Sequence, residues 1–235
     1  MNTPAPAFFS EITRLHRSTL ANFNGVLVVT SVQPGEGASL TAHLLAQRSA
    51  EEGKKTLLVD LNLRNMALTE RVGLMPRDWD LDAGLKSAEV LELAKKVGNG
   101  LYALPAPSDA ATVQWLSEPT NASAFFAHIA AKYPQVIVDT TPLTVANRNN
   151  ADPTVLAAAA HRAVLVVAAG LTPKAKLKQA VQDLKTAGAN MLGLVVNDRA
   201  NHPAITILEG WANGLTKVSP GLSLWLRNRL REARG

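Results

Sequence analysis

Short, continuous apolar runs rich in β-branched residues alternate along this chain with stretches of helical spacing. Continuous runs of this kind are typical of strands buried on both faces of a sheet. The alternation therefore predicts an α/β fold, a mainly parallel sheet flanked by helices on both faces, with ligand sites at the carboxyl ends of the strands. The predicted strands are residues 25–31, 56–60, 100–105, 136–139, 163–168 and 192–197. The predicted helices are about 40–52, 87–97, 122–132, 153–160 and 174–187.

The length of the chain fits a single domain over residues 1–235. A chain of 235 residues, 47% of them hydrophobic, can bury a sizeable core. Residues 66–82 are interpreted as a long connection within this domain and not as a boundary between two domains.

A glycine-rich loop joins the first predicted strand to the first helix, and it reads Thr-Ser-Val-Gln-Pro-Gly-Glu-Gly-Ala-Ser-Leu over residues 30–40. Loops in this setting bind phosphate through backbone N–H groups and a helix N-terminus, while a lysine and a hydroxyl complete the site. Ala38 stands where that lysine is expected, and the lost contact is worth about 1.5–3 kcal/mol. Weak nucleotide binding could persist, but efficient phosphoryl transfer should not. A tight strand-to-helix connection without a ligand stays an alternative for the loop alone.

Two aspartates, Asp60 and Asp139, directly follow predicted buried strands. At that position a carboxylate points toward a phosphate crevice and can hold Mg²⁺ directly or through water. Each could instead cap the next helix. Together with the glycine-rich loop, the pair favours descent from a nucleotide-binding site.

Composition excludes several kinds of chemistry. The chain has no cysteine, which removes disulfides and thiol nucleophiles, and its five histidines are dispersed without metal-ligand spacing. A formal charge of +5 favours acidic partners such as lipid or an acidic protein face, and the 5% aromatic content argues against base stacking, so no nucleic acid partner is expected. Neither a signal peptide nor a bilayer-spanning run is found, which predicts a soluble protein.

Residues 221–234 predict a basic amphipathic helix. Its apolar face carries Trp225 among leucines, and arginines lie opposite. Such a helix is typical of a membrane-surface anchor or of a helix that docks into a partner groove. A last helix packed on its own domain is the alternative.

Three motifs come in a familiar order: Val-Thr-Ser-x-x-Pro-Gly-Glu-Gly-x-Ser over residues 29–39, Leu-Leu-Val-Asp-x-x-Leu-Arg over 57–64 and Ile-Val-Asp-Thr over 137–140. The chain resembles the cytoplasmic domain of the bacterial tyrosine kinases of capsule and exopolysaccharide synthesis, within the ParA/MinD P-loop family. A predicted helix at 8–22, with Glu11, Arg14 and Arg17, is similar to the first helix of that family, which mediates ring oligomers.

The resemblance implies a role for each matching residue. It places Gly35, Glu36, Gly37, Ala38 and Ser39 around the phosphates of ATP. Mg²⁺ would be held by the Ser39 hydroxyl, by Asp60 through water and by Asp139 in support. Asp60 would also help to activate the acceptor hydroxyl, Arg64 remains from the same motif, and Asn197 would contact adenine. The implied cofactors are ATP and Mg²⁺, if nucleotide binding is retained.

Departures from the family pattern point to a pseudo-kinase. Ala38 replaces lysine, Leu40 replaces threonine, Asn62 replaces an aspartate, and Thr141 breaks the expected Asp-Thr-Pro-Pro. The family phosphorylates a tyrosine-rich C-terminal tail, whereas the only tyrosines here, Tyr102 and Tyr133, are expected to be packing residues.

The favoured interpretation is a kinase-like protein that has lost efficient catalysis and regulates or scaffolds exopolysaccharide or capsule synthesis and export. Its expected partners are a membrane polysaccharide co-polymerase or another component of that synthesis, a second copy through the first helix, and the membrane surface through the tail. It would be cytoplasmic and peripheral at the inner face of the cell membrane. Two alternatives stay open: an active tyrosine autokinase or ATPase with a relocated lysine, such as Lys54, Lys55 or Lys174, and a MinD-like membrane-associated positioning protein.

Overall fold

The computed structural model describes residues 6–79, 81, 87–147 and 149–198. Within this part of the chain, the parallel strands are connected through helices. The strands are β1 Gly25–Ser31, β2 Thr56–Leu61, β3 Lys95–Lys96, β4 Leu101–Leu104, β5 Gln135–Thr140, β6 Arg162–Ala168 and β7 Met191–Asn197. The helices are α1 Pro6–Thr19, α2 Ala38–Glu51, α3 Ala67–Arg71, α4 Ser87–Glu92, α5 Ala110–Leu116, α6 Pro119–Lys132, α7 Pro153–Ala159 and α8 Lys174–Thr186.

The described strands form one seven-stranded sheet in the order β3-β4-β2-β5-β1-β6-β7. Every pairing is parallel except that of β3 with β4. This arrangement confirms the predicted α/β fold. Because β5 lies between β1 and β2, the strand ends that carry the glycine-rich loop, Asp139 and Asp60 are neighbours, and Asp60 and Asp139 are paired in register.

Helices cover both faces of the sheet, so the central strands are buried on each side. Alternate residues of β1 point into two separate apolar clusters, with Val26 and Val28 in one and Leu27 and Val29 in the other. The second cluster contains Leu45 of α2, whereas the first is filled by helices α5 to α8. Burial on both faces explains why these strands read as unbroken apolar runs.

Helix α1 is anchored against the body of the domain by its last turn. Gln135 Nε2 donates to the carbonyl of Leu20 at 2.7 Å, and Arg162 Nη1 donates to the carbonyl of Thr19 at 2.8 Å. His16 of the same helix is fully buried. The opposite face of α1 leaves Glu11, Arg14 and Arg17 exposed. The first helix was predicted at 8–22 and is observed slightly earlier in the chain.

Some predicted element boundaries were wrong. The helix expected over 87–97 ends at Glu92, and Lys95–Lys96 instead pairs antiparallel with β4 at the edge of the sheet. Helix α5 was missed, although Asp109 caps it by accepting a hydrogen bond from Thr112 N at 2.6 Å. The connection at 66–82 contains the short helix α3.

The predicted C-terminal helix 221–234 lies outside the described residues. Among the residues that are described, no helix is both long enough and apolar enough to cross a bilayer.

Candidate functional site

The glycine-rich loop lies between the end of β1 and the start of α2. Gly35 and Gly37 have φ angles of 82° and 97°, which L side chains rarely adopt, and this explains the glycine at both positions. Gly37 is the N-cap of α2 and has no side chain to cap it, so the first amide groups of the helix are left for an anion. Ala38 is the first residue of α2 and is only 5% exposed.

The Glu36 carboxylate is turned into the protein and binds the loop to its own scaffold. Oε2 accepts hydrogen bonds from Val32 N and Gln33 N, both at 2.9 Å. Oε1 accepts a hydrogen bond from the hydroxyl of Thr172 at 2.5 Å. Glu36 is 3% exposed. Its side chain therefore shapes the loop and does not point at a ligand.

Asn197, at the end of β7, also supports the loop. Its Nδ2 donates to the carbonyl of Glu36 at 2.9 Å. The contact links the edge of the sheet to the glycine-rich loop and occupies one of the two amide hydrogens. The predicted contact of Asn197 with adenine stays a prediction.

Ser39, Asn62 and Asp139 meet behind the loop. The Ser39 hydroxyl donates to Asp139 Oδ2 at 2.5 Å. Asn62 Nδ2 lies 3.4 Å from both the Ser39 hydroxyl and Asp139 Oδ2. Asn62 occupies the position where the family pattern has a second aspartate. The structure brings it into contact with Ser39 of the loop and with Asp139 of β5.

Asp60 is directed away from the loop and toward α3. Its Oδ2 accepts hydrogen bonds from the backbone N–H and the hydroxyl of Thr69, both at 2.8 Å, and its Oδ1 accepts one from Asn62 N at 3.0 Å. Because both carboxylate oxygens are used in this way, Asp60 fixes the position of α3.

Burial dominates the electrostatics of the two aspartates. It raises the pKa of Asp60, although the hydrogen bonds from Thr69 and Asn62 oppose this effect. The pKa of Asp139 is raised well above its ordinary value, first by complete burial and then by the charge of Asp60. Holding both carboxylates ionised at neutral pH therefore costs folding free energy.

We expect Asp139→Asn to stabilise the protein at neutral pH by on the order of 1 kcal/mol, as other stabilising changes at functional sites do. The folded protein binds the Asp139 proton more tightly than the unfolded chain does, so stability falls as pH rises from the ordinary aspartate value through the raised pKa. The gain should shrink as pH falls toward about 4. Denaturant unfolding of both proteins at several pH values measures the gain in stability. A gain at low pH that equals or exceeds the gain at neutral pH would contradict the prediction.

A cleft of about 160 Å³ opens beside the loop. It is bordered on one side by the loop and the first turn of α2, and on the other by the segment that follows β2. Two exposed arginines, Arg64 and Arg71, line the second side. Arg64 belongs to a motif, but no motif pointed to Arg71, which reaches the cleft only because α3 places it there.

The carboxylates that were predicted to hold Mg²⁺ do not line this cleft. Asp60 and Asp139 lie behind its wall, and the Glu36 carboxylate is bonded internally. Within the described residues, no group of three or more histidine, aspartate or glutamate side chains is placed to hold a metal ion. Of the residues predicted to hold Mg²⁺, only Ser39 lines the cleft, so as arranged they do not form a site that binds the metal directly through carboxylates. Binding of Mg²⁺ by Asp60 through water stays a prediction.

Comparison with known proteins gives relatives over most of the chain, although no family model matches it. Tyrosine-protein kinase YwqD of Bacillus subtilis is 29% identical over 181 residues, which cover 74% of this chain and 72% of YwqD. Tyrosine-protein kinase CpsD of Streptococcus pneumoniae serotype 4 is 26% identical over 182 residues, which cover 73% of this chain and 75% of CpsD.

Solved structures show the same fold. The kinase domain of the Escherichia coli tyrosine kinase ETK superimposes with a TM-score of 0.65 at 22% identity, covering 81% of this chain and 74% of that domain. The septum site-determining protein MinD of Pyrococcus horikoshii, in complex with Mg-ADP, gives a TM-score of 0.58 at 18% identity, covering 77% of this chain and 72% of MinD.

The chain is therefore similar in sequence to bacterial tyrosine-protein kinases, and it shares its fold with the ETK kinase domain and with MinD.

Proposed function

We propose that this chain is a catalytically impaired, kinase-like P-loop protein that regulates or scaffolds bacterial exopolysaccharide or capsule synthesis and export. The observation that carries the proposal is Ala38 at the position of the phosphate-binding lysine. None of the described residues that line the cleft is a lysine. Without that cation, the site lacks a group that stabilises charge on a transferring phosphoryl group. With Asn62 in place of an aspartate, it also lacks a carboxylate that could hold a metal ion or accept a proton.

The lysines considered as replacements are badly placed for catalysis. Lys55 lies just before β2, at the end of the sheet opposite the loop, where its Nζ is 4.7 Å from the centre of the Tyr133 ring. Lys54 precedes it in the chain. Lys174, the first residue of α8, is exposed and does not line the cleft. This placement counts against an active kinase with a relocated lysine.

The tyrosines are equally unsuited to act as phosphate acceptors. Tyr102 and Tyr133 pack edge to face with ring centres 5.4 Å apart. Tyr133 is 3% exposed, and burial raises the pKa of its hydroxyl. Their packing supports the view that the chain has lost the family's substrate along with the lysine.

The function would then depend on surfaces of the protein. The exposed side of α1, with Glu11, Arg14 and Arg17, is available for a second copy of the chain or for a membrane polysaccharide co-polymerase. The basic tail at 221–234 would hold the protein at the inner face of the cell membrane, with the domain in the cytoplasm. The resemblance to capsule and exopolysaccharide kinases supports this assignment.

We expect the purified chain to show no Mg²⁺-dependent ATP turnover and no phosphotyrosine above the level of an Asp60→Ala variant. The reason is the missing charge stabilisation in the transition state, where removal of a single such group typically costs about 100–1,000-fold in rate. Phosphate release and phosphotyrosine immunodetection, with YwqD as the positive control, measure both quantities. Turnover that is present in the natural chain and lost in Asp60→Ala would contradict the proposal.

A further inference from the structure

We propose that Arg71 binds the phosphate chain of a nucleotide from the side of the cleft opposite Ala38, without requiring a metal ion, although it does not restore the catalytic role of the missing lysine. This inference deepens the proposed function, since it rests on the same cleft and names what an impaired site still binds. Arg71 belongs to none of the motifs found in the sequence, and only its position in the fold assigns this role.

Arg71 is placed where it can contact a ligand in the cleft. It is the last residue of α3 and lines the cleft across from Ala38 and the amide groups at the start of α2. It is exposed, and no hydrogen bond or ion pair joins its guanidinium to another described residue. A phosphate group in the cleft would therefore meet a free guanidinium, which can bind phosphate oxygens through two parallel hydrogen bonds.

The backbone that holds Arg71 is fixed. Two residues earlier, Thr69 is 1% exposed and donates to Asp60 through its N–H and its hydroxyl. The N–H of Ala106 donates to the Thr69 hydroxyl at 2.9 Å. These bonds join α3 to β2 and to the segment after β4, so Arg71 is presented to the cleft from an anchored helix and not from a loose loop.

The positive charge of Arg71 also affects a residue of α2. Burial lowers the pKa of His43, and the positive charge of Arg71 lowers it further. His43 lies five positions after Ala38 on the same helix. The field of Arg71 thus reaches the helix whose N-terminus forms the anion-binding end of the loop.

The wall of the cleft contains a polar atom without a hydrogen-bond partner, which adds a hydrated position to the cleft beside the arginine. Asn62 is 5% exposed and lines the cleft, and its Oδ1 has no hydrogen-bond partner among the described residues. Buried polar atoms are rarely left without a partner, so a hydrogen-bond donor such as a water molecule is expected beside this acceptor oxygen.

The charge balance of the cleft explains why a metal is not required. Glu36 is the only acidic residue among the described ones that line the cleft, and its carboxylate is bonded inside the loop. Arg64 and Arg71 are the cations on the opposite side. The surface presented to a ligand is therefore positive, and it can neutralise phosphate charge directly.

Calorimetric titration of the full chain with ATP tests the inference, in Mg²⁺ and in EDTA. We expect the two affinities to agree within about threefold and Arg71→Ala to weaken binding about tenfold or more, as expected for loss of one charge-assisted contact. Arg71→Lys should retain part of the affinity. Arg77→Ala, which removes an exposed arginine that does not line the cleft, should bind like the natural chain. ADP and pyrophosphate should bind and adenosine should not.

Four outcomes would overturn the inference: Arg71→Ala binds as tightly as the natural chain, binding requires Mg²⁺, adenosine binds as well as ATP, or the natural chain does not bind ATP. Thermal melting of each variant identifies any loss of folding, which the exposed Arg71 side chain gives no reason to expect. Phosphate release is recorded in the same samples. Turnover contradicts the proposed function whatever Arg71 does, whereas an unchanged Arg71→Ala affinity contradicts only the role of Arg71.

Discussion

Glu36→Ala should lower the free energy of unfolding by about 3–5 kcal/mol, since each buried donor that loses its partner costs about 1–3 kcal/mol. The Glu36 carboxylate accepts hydrogen bonds from the backbone N–H groups of Val32 and Gln33 and from the hydroxyl of Thr172. Alanine would leave the two backbone N–H groups without their acceptor, while the Thr172 hydroxyl would keep only the longer bond to the carbonyl of Ala168. The loop would lose its shape, and we expect any phosphate binding in the cleft to be lost with it.

Glu36→Gln is the matched control for this prediction. The glutamine carbonyl can accept from both backbone N–H groups, and its amide can donate to Thr172, whose hydroxyl then donates to the carbonyl of Ala168. We therefore expect it to lose less than about 1.5 kcal/mol. Glu70→Ala, at an exposed position of α3, should change stability by less than about 0.5 kcal/mol. Urea unfolding compares the variants. Equal stability of Glu36→Ala and Glu70→Ala would show that the buried carboxylate does not support the loop.

Much of the fold could be predicted because the sheet is buried on both faces. Unbroken apolar runs indicated the longer strands, and a glycine-rich turn between a strand and a helix located the loop at the carboxyl end of β1. The same reasoning placed Asp60 and Asp139 at the carboxyl ends of two strands, and these strands are neighbours that pair the two residues in register. The pairing of Lys95–Lys96 with β4 was missed because two exposed lysines carry no strand signal of their own.

The orientation of the acidic side chains could not be predicted, because it depends on partners far away in the sequence. Glu36 is held by Thr172, 136 positions later, and Asp60 is held by Thr69 in the middle of a helix that was interpreted as part of a connection. Arg71 likewise lies in no motif. Motif reasoning therefore indicated residues around the cleft but could not show which of them face it.

Ala38→Lys should tighten ATP binding by about 10–100-fold, because it restores a charge-assisted contact to the phosphates. The side chain at position 38 lines the cleft, so a lysine there can extend toward the ligand. The same substitution in an Arg71→Ala background should recover most of the affinity that Arg71→Ala loses, since the two cations serve the same phosphate chain. Calorimetry of the single and double variants gives the coupling between the two positions.

Gln47→Lys is the control, because it adds the same charge to an exposed position of α2 that does not line the cleft. It should leave the ATP affinity within about twofold, as expected for a solvent-exposed charge screened by salt.

Adding Asn62→Asp to Ala38→Lys should make ATP binding dependent on Mg²⁺. The new carboxylate would lie beside Asp139 Oδ2, which Asn62 Nδ2 now approaches at 3.4 Å, and without a cation the like charges repel. If Ala38→Lys binds ATP no more tightly than Gln47→Lys does, the alanine at position 38 is not what weakens ATP binding. The inward orientation of the Asp60 and Asp139 carboxylates then becomes the better explanation.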